Sequence, residues 1–280
     1  MKLIDKLVRP EIRALSAYHV PPAEDLIKLD AMENPYSLPA ELRREWMEKL
    51  SRVEINRYPD PNAVGLKSKL RDVFEIPENL DLVLGNGSDE LIQMIASLVG
   101  GAGQTFVAPS PSFSMYEIIS LTTSTAFRSI LLNNDFTPDL EQFLQEIENL
   151  NPACIFLAYP NNPTANSFDR GFIDNLIEAA PGLVVIDEAY YSFSGKSFLR
   201  ELGRRPNALV MRTLSKSGLA GLRLGMLMGH PEWIEQIEKI RLPYNINSLT
   251  QASVEFCLDH FALFSDQAAK IIADRQWLAA

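Results

Sequence analysis

Val184-Val185-Ile186-Asp187-Glu188-Ala189-Tyr190 is a short apolar run that delivers a carboxylate at its end. Such runs are typical of strands that are buried on both faces of a sheet. Similar runs, separated mostly by segments of helix length, occupy residues 82–84, 105–108, 127–132, 153–158 and 208–211. The alternation predicts an α/β fold, a mostly parallel twisted sheet with helices on both faces. Open sheets of this kind bind ligands beyond the carboxyl ends of their strands, where Asp187 stands.

Helical periodicity is clear near both ends of the chain. We expect a helix to begin at Pro39, with an apolar face made of Leu42, Trp46, Met47 and Leu50. A second helix is marked by Leu66, Leu70, Val73 and Phe74. From about Leu249 the spacing predicts a long helix or a helical pair. We therefore divide the chain into an N-terminal arm and first helix (1–50), a large domain (51–248) and a C-terminal segment (249–280).

Composition narrows the class of protein. The chain has 280 residues, 46% of them hydrophobic and 22% charged, which is ordinary for a soluble globular protein. Its formal net charge of −10 argues against nucleic acid and anionic membrane as partners, since both require basic patches. Charges interrupt the apolar residues of the N-terminus, and no run is long enough to span a membrane. These features predict a cytoplasmic enzyme.

Cysteine and histidine usage gives two further expectations. Cys154 stands in an apolar run and Cys257 in a predicted helix, so both are expected to be buried free thiols. His19, His230 and His260 lack the spacing of metal ligands. We therefore predict no metal site.

Three segments besides the first carry candidate chemistry. Thr213-Leu214-Ser215-Lys216, with Arg223 beyond it, could hold a carbonyl cofactor covalently and its phosphate by charge. Gly85-Asn86-Gly87-Ser88-Asp89-Glu90 resembles a strand ending in a glycine turn, with Ser88 capping a helix whose first N–H groups point outward. Ala158-Tyr159-Pro160-Asn161-Asn162-Pro163-Thr164 ends an apolar run in an irregular turn.

The order of these segments along the chain resembles the fold-type I pyridoxal-phosphate aminotransferases. GNGSDE (85–90), YPNNPT (159–164), IDEAY (186–190) and TLSK (213–216) follow one another, and together they are far more specific than any one alone. Residues 28–36, 57–60 and 241–245 are most similar to the histidinol-phosphate aminotransferase branch of that family. The resemblance covers nearly the whole chain and implies pyridoxal phosphate as the cofactor.

The resemblance also implies a role for each residue around the cofactor ring. Lys216 would hold the cofactor covalently and then serve as the base that moves the substrate proton. Asp187 would pair with the ring nitrogen and keep it protonated, so that the ring can accept carbanion charge. Asn162 and Tyr190 would hydrogen-bond the ring oxygen, and Phe113 would stack on the ring.

The cofactor phosphate would be bound at a helix start and by hydroxyl and guanidinium groups. The family pattern assigns this role to the backbone N–H groups of Ser88 and Asp89 and to the side chains of Thr213, Ser215 and Arg223. Tyr58 would reach the phosphate of a neighbouring subunit, which implies a homodimer with shared active sites. The implied substrates are histidinol phosphate and glutamate or 2-oxoglutarate.

Each residue taken alone also has an ordinary structural interpretation. Lys216 could be a solvated lysine, and Asp187 could cap a turn at the end of its strand. Gly85 to Ser88 could form only a tight turn with a helix cap. Among the aromatic candidates, Phe113 could be an ordinary core residue and Tyr190 could pack on the sheet edge. Tyr58 could lie in a surface turn.

The chain departs from the family pattern in three places. Ala165 stands where glycine commonly follows Thr164, so a positive φ there would cost more. The interval from Lys216 to Arg223 is one residue shorter than in some relatives. Relatives continue into a small C-terminal domain that supplies an arginine for the substrate carboxylate, and we expect that domain to be missing here. Two alternatives therefore stay open. The chain could catalyse another reaction on the same cofactor, such as decarboxylation or transamination of a different amino acid. It could also be a remnant that binds the cofactor but has little activity.

Overall fold

The computed structural model describes residues 2–17 and 27–280, and seven strands of the described residues form one sheet. Its spatial order is β1-β7-β6-β5-β4-β2-β3. All neighbouring pairs are parallel except those of β7, which is antiparallel to both β1 and β6. The strands are β1 Asp81–Gly85, β2 Thr105–Ser110, β3 Ala126–Leu131, β4 Cys154–Ala158, β5 Leu183–Asp187, β6 Ala208–Thr213 and β7 Gly225–Gly229. The predicted mostly parallel sheet is confirmed, and the six apolar runs are six of its strands.

Helices cover both faces of the sheet. They are α1 Leu3–Leu7, α2 Pro10–Arg13, α3 Ala40–Ser51, α4 Val64–Val73, α5 Ser88–Val99, α6 Met115–Thr122, α7 Leu140–Leu150, α8 Arg170–Ala179, α9 Tyr191–Ser194, α10 Pro231–Ile240, α11 Ser248–Asp259 and α12 Phe261–Ala279. Three short 3-10 helices occupy Leu202–Arg204, Leu214–Ser217 and Ala220–Leu222. The C-terminal pair of helices predicted from about Leu249 is confirmed as α11 and α12.

The pleat of the strands sorts side chains between two cores. In β4, Ile155 and Leu157 pack with α4, α7, α8 and α11, whereas Cys154 and Phe156 pack with α5, α6 and α10. The same alternation runs through β5, β6 and β7, since successive side chains of a strand point to opposite faces. A fully buried aliphatic or aromatic side chain contributes about 1.5–3 kcal/mol through the hydrophobic effect. The two cores therefore fix the register of the central strands, and with it the side chains at their ends.

Several local predictions are corrected or confirmed by the structure. The strand β7 was missed, because its glycine-bounded methionine run gave too weak a signal. Met47 was wrongly placed on the apolar face of α3, since 60% of it is exposed, while Leu42 and Trp46 pack on the core as predicted. Cys154 and Cys257 are confirmed as buried free thiols. His19 lies outside the described residues, and the division into 1–50, 51–248 and 249–280 stays a prediction.

Candidate active site

The ends of four central strands bring the sequence motifs together. Strands β4, β5 and β6 are parallel, so Ala158, Asp187 and Thr213 lie at the same edge of the sheet. Strand β7 runs the other way, so it begins at this edge. Its first residue, Gly225, pairs with both Thr213 and Gly85. The antiparallel strand thus places the glycine turn after β1 beside the lysine segment after β6.

A cavity of about 250 Å³ opens at this edge of the sheet. It contains every predicted cofactor-binding residue except Tyr58, and it is lined by Asp30, Ala31, Ser88, Asp89, Phe113, Ala158, Pro160, Asn162, Asp187, Ala189, Tyr190, Thr213, Ser215, Lys216 and Arg223. Residues far apart in sequence, from 88 to 223, therefore share one small space. The chemistry of this set identifies the cavity as the candidate active site.

A larger cavity, of about 940 Å³, is the weaker candidate. Its charged side chains are largely paired with one another, since Arg170 forms an ion pair with Glu201 and Arg200 with Glu75. The larger cavity is also lined by none of the predicted cofactor-binding residues. Volume alone therefore does not decide between the two cavities.

Lys216 points its amine into the smaller cavity. The amine donates a hydrogen bond to the carbonyl oxygen of Ala31 over 2.5 Å and lies 5.7 Å from the centre of the Tyr190 ring. Burial lowers the pKa of Lys216, and the charge of Arg223 acts in the same direction, although Glu33 opposes it. A lowered pKa favours the neutral amine, which is the nucleophilic form.

Asp187 is a buried carboxylate at the end of β5. Its Oδ2 accepts a hydrogen bond from the hydroxyl of Tyr116 over 2.8 Å, and its Oδ1 accepts one from the backbone N–H of Ala189 over 3.0 Å. Burial raises the pKa of Asp187 to about 6, although these two hydrogen bonds act to lower it. Throughout the described part of the chain, no Lys, Arg or His forms an ion pair with it, so the carboxylate faces the cavity with its charge unpaired.

A second group of residues lining the cavity offers donors to an anion. Helix α5 begins at Ser88 and directs its first backbone N–H groups there, and the guanidinium of Arg223 donates to the hydroxyl of Ser215 over 3.3 Å. The sequence interpretation needs one correction. Gly87, with φ +82°, is the N-cap, and Ser88 is the first helical residue without a capping hydrogen bond, because the left-handed turn sets the helix start one residue earlier.

Two glycines leave the backbone room to close around these donors. A Cβ on Gly87 would lie 2.5 Å from Nη2 of Arg223, and a Cβ on Gly225 would lie 2.6 Å from the backbone of Gly87. The hydroxyls of Thr213 and Ser215 are joined by a 3.0 Å hydrogen bond, and both residues are buried. The result is a compact cradle of N–H, hydroxyl and guanidinium donors, which suits a phosphate group.

The turn after β4 contains two asparagines with different surroundings, Asn161 and Asn162. Asn161 is buried, and its amide group bonds to the carbonyl of Pro111 and the hydroxyl of Thr164. Asn162 lines the cavity. Ala165 has φ +61°, the conformation for which the sequence predicted an added cost relative to glycine. The turn is thus anchored by one asparagine and presents the next.

Tyr58 does not line the cavity of its own chain. It is 80% exposed and stacks on Tyr244, with ring centres 4.4 Å apart. Phe113 does line the cavity and packs edge-on against Tyr116. The role of Tyr58 in a neighbouring subunit, like the individual roles of the other site residues, stays a prediction.

A third cavity, of about 430 Å³, adjoins the candidate active-site cavity of about 250 Å³. The two share Pro160, Asn162 and Tyr190, and the third extends to Ile271, Ile272 and Arg275 of α12. Its walls are more apolar than those of the candidate active-site cavity. The candidate active site therefore has a polar chamber and a neighbouring chamber large enough for part of a small substrate.

Two groups at the site were missed by sequence reasoning. Tyr116 stands three residues after Phe113, but its contact with Asp187 spans 71 residues and has no local signal. Asp30 and Ala31 belong to the segment 28–36, which had been quoted only as a family resemblance. Its position over the lysine amine depends on contacts such as that of Asn34 with Gln267.

Across 2–17 and 27–280, no group of three or more His, Cys, Asp and Glu side chains could hold a metal ion. Over the same ranges, no helix combines the length and apolar character needed to cross a membrane.

Comparisons with known proteins agree with this geometry. The sequence pattern of the family described as aminotransferase class I and II matches residues 24–280. The chain is 52% identical to histidinol-phosphate aminotransferase 2 of Nitrosococcus oceani over 271 residues, which is 97% of this chain and 75% of that protein. It is 48% identical to histidinol-phosphate aminotransferase of Chromobacterium violaceum, over 100% of this chain and 79% of that protein.

The fold has also been seen in solved structures. That of histidinol-phosphate aminotransferase from Sinorhizobium meliloti, in complex with pyridoxal-5'-phosphate, superposes with a TM-score of 0.84. The match covers 96% of this chain and 76% of that one, at 23% sequence identity, and it shows a shared fold.

Proposed function

Because the chain belongs to the aminotransferase class I and II family, we propose that it is a pyridoxal-phosphate-dependent transaminase acting between histidinol phosphate and 2-oxoglutarate in histidine biosynthesis. The observation that carries the proposal is the juxtaposition, in one cavity, of a lysine with a lowered pKa, a buried carboxylate without an ion pair, and a cradle of anion donors. When bound, pyridoxal phosphate supplies an electron sink for the charge that develops at the substrate carbon.

The residues present fit that cofactor at both of its ends. Asp187 offers a buried negative charge that a protonated pyridine nitrogen would neutralise. At the other end, the start of α5 and the Arg223 guanidinium suit a phosphate, and the approach of Gly225 to Gly87 leaves no room for a side chain between them. The cavity therefore offers a buried carboxylate for the ring nitrogen and a set of anion donors for the phosphate, with the Asp89 carboxylate 3.7 Å from Nη2 of Arg223.

Lys216 is proposed to hold the cofactor and to move the proton at the substrate carbon. Its amine must first leave the carbonyl of Ala31, and its lowered pKa favours the neutral, nucleophilic form. The hydroxyls of Thr213 and Ser215 lie on the same short segment, so anion binding and amine placement are set together.

The remaining residues are proposed to orient the ring. Asn162 and Tyr190 would donate hydrogen bonds to its oxygen, and Phe113 would pack against its face. Burial raises the pKa of Tyr190, so its hydroxyl stays protonated and able to donate at neutral pH. The adjoining chamber beside Arg275 would receive the rest of the substrate.

We also propose a cytoplasmic homodimer. Tyr58 and Tyr244 form an exposed aromatic pair, and exposed apolar residues such as Leu242 lie close by in sequence. Exposed aromatic and apolar side chains of this kind are enriched at protein interfaces. Tyr58 would then serve the phosphate site of the partner chain, and sedimentation would measure the oligomeric state.

The test is to add pyridoxal phosphate, reduce with borohydride and map the labelled peptide. We expect the label on Lys216, no label in Lys216→Ala, and a normal label in the control Lys239→Ala, whose amine lies on the surface of α10. A label on another lysine would overturn the assignment.

Reaction class is tested next by single-turnover spectra with histidinol phosphate and with glutamate. Interconversion of the amine and carbonyl forms of the cofactor supports transamination. Release of carbon dioxide from an amino acid would instead favour decarboxylation, and cofactor binding without turnover would identify a remnant.

A further inference from the structure

Tyr116 is a wholly buried phenol next to the candidate active site. It lies on α6 with none of its surface exposed, and its ring stacks on Phe156 with centres 4.8 Å apart and planes 10° apart. Phe113 packs edge-on against its other side. Two aromatic neighbours therefore pack on the ring and restrict where its hydroxyl can lie.

The hydroxyl donates to the carboxylate of Asp187, which lines the cavity. Its oxygen lies 2.8 Å from Oδ2 of Asp187, and the remaining contact of that carboxylate is the backbone N–H of Ala189 on Oδ1. A buried carboxylate needs such donors to remain ionised, because burial favours its neutral form. Burial also raises the pKa of Tyr116 well above its ordinary value, so the phenol keeps its proton and acts as the donor.

We propose that Tyr116 is a positioning residue for Asp187, which holds its carboxylate ionised and aimed at the ring nitrogen of the bound cofactor. The assignment rests on the proposed function. It requires no contact between Tyr116 and the cofactor, because the phenol acts only through Asp187. A hydrogen bond to a charged group is worth enough to change cofactor affinity about tenfold or more.

The alternative is that Tyr116 merely fills space. Removing the hydroxyl alone distinguishes the two, because Tyr116→Phe keeps the ring that packs on Phe156. Ser120 provides a matched control on the same helix. Its buried hydroxyl donates to the backbone carbonyl of Tyr116 and does not contact Asp187.

The experiment measures dissociation constants of the full chain for two ligands by absorbance titration. One is pyridoxal phosphate, and the other is its 1-deaza analogue, in which a C–H replaces the ring nitrogen. We expect Tyr116→Phe to weaken pyridoxal phosphate binding about tenfold and to leave the analogue within about twofold. Ser120→Ala should change neither constant. In an Asp187→Asn background the effect of Tyr116→Phe should vanish.

Each other outcome overturns the assignment. Equal weakening of both ligands, or the same loss in Ser120→Ala, would mean a packing role. Persistence of the effect in the Asp187→Asn background would mean that Tyr116 does not act through Asp187. If Tyr116→Phe does not fold, 3-fluorotyrosine at position 116, a stronger donor of nearly the same shape, must tighten pyridoxal phosphate binding. Failure of the unmodified chain to bind pyridoxal phosphate would instead overturn the proposed function, and this assignment with it.

Discussion

Asp187 and Glu188 are neighbours in the chain and are both buried acids, but the protein surrounds them differently. From the residues that the structure describes, Asp187 receives two neutral donors, the phenol of Tyr116 and one backbone N–H, and it lines the cavity. Glu188 forms an ion pair with Arg212, whose Nε and Nη2 lie 2.9 and 2.8 Å from its Oε2. One acid keeps its charge available for a ligand, and the other has its charge neutralised within the fold.

The pleat of the sheet explains how adjacent residues reach such different surroundings. The two side chains leave the end of β5 in opposite directions. Tyr116 and Phe156, beside Asp187, belong to one core, whereas Phe74 and Phe198, beside the ion pair, belong to the other. Arg212 also stacks on Tyr191, 3.8 Å from the ring centre. A difference of one position along the chain therefore places Asp187 at the cavity and Glu188 in an ion pair within the fold.

The largest expected effect comes from removing the charge of Asp187. Asp187→Asn keeps the shape of the side chain, but a neutral amide cannot hold a proton on the ring nitrogen. We expect transamination at saturating cofactor to fall at least about a thousandfold, which is about 4 kcal/mol of barrier, while the fold remains. Single-turnover rates measure the loss of transamination, and circular dichroism shows whether the fold remains. Activity near that of the unmodified chain would refute the role of Asp187.

The second effect is on stability and concerns the other acid. Glu188→Gln leaves Arg212 buried with an uncompensated charge, and we expect the free energy of unfolding to fall by roughly 3 to 4 kcal/mol. The double variant Glu188→Met/Arg212→Met, which removes both charges, should cost less than the single one. Denaturant titration measures both. A loss below about 1 kcal/mol for Glu188→Gln would mean that the ion pair contributes little.

Sequence reasoning anticipated the acid used for chemistry and not the acid used for stability. Asp187 was found because an apolar run ended in a carboxylate within an ordered set of motifs, all of which are local patterns. The partner of Glu188 lies 24 residues away and that of Asp187 lies 71 residues away. Such contacts are set by strand order, in which β5 lies between β4 and β6, and that order has no local sequence signal. The motifs predicted which groups meet, but not what holds them in place.

The third effect appears in the pH dependence of stability without cofactor. Burial raises the pKa of Asp187 from 3.8 to about 6, against the hydrogen bonds from Tyr116 and the Ala189 N–H, while the charges of Asp89 and Glu188 add to the rise. Tyr190 also faces this carboxylate, in its neutral form. Between the two values the folded chain holds a proton that the unfolded chain has lost, so this site costs stability as pH rises.

Asp187→Asn should abolish that cost. At about 1.4 kcal/mol for each pH unit, the cofactor-free variant should be more stable than the unmodified chain by up to about 3 kcal/mol at pH 7 to 8, and by almost nothing near pH 4. Denaturant titrations of both proteins at these pH values give the difference. A stability difference that does not change with pH would contradict a raised pKa at Asp187.

The smallest effect tests how the ion pair is supported. The hydroxyl of Ser197 donates to Oε2 of Glu188 over 2.9 Å and accepts from Nη2 of Arg212 over 2.8 Å. In Ser197→Ala the ion pair itself remains, and Oε1 of Glu188 keeps its bond from the backbone N–H of Phe198. The Ser197 hydroxyl also accepts from the backbone N–H of Leu199, so three hydrogen bonds are lost. We expect a loss of about 1.5 to 2 kcal/mol in the free energy of unfolding, near the lower end of the usual net value for each bond.

The affinity of Ser197→Ala for pyridoxal phosphate shows whether the surroundings of Glu188 influence the site of Asp187. It should be unchanged in Ser197→Ala, because the hydroxyl acts on Glu188 and not on Asp187. The surface variant Ser265→Ala serves as the control for both measurements, since its hydroxyl bonds only to a carbonyl of its own helix. If Ser197→Ala weakened pyridoxal phosphate binding as strongly as Tyr116→Phe, the two faces of the sheet would be coupled. Asp187 and Glu188 would then not act independently, one in cofactor binding and the other in stability.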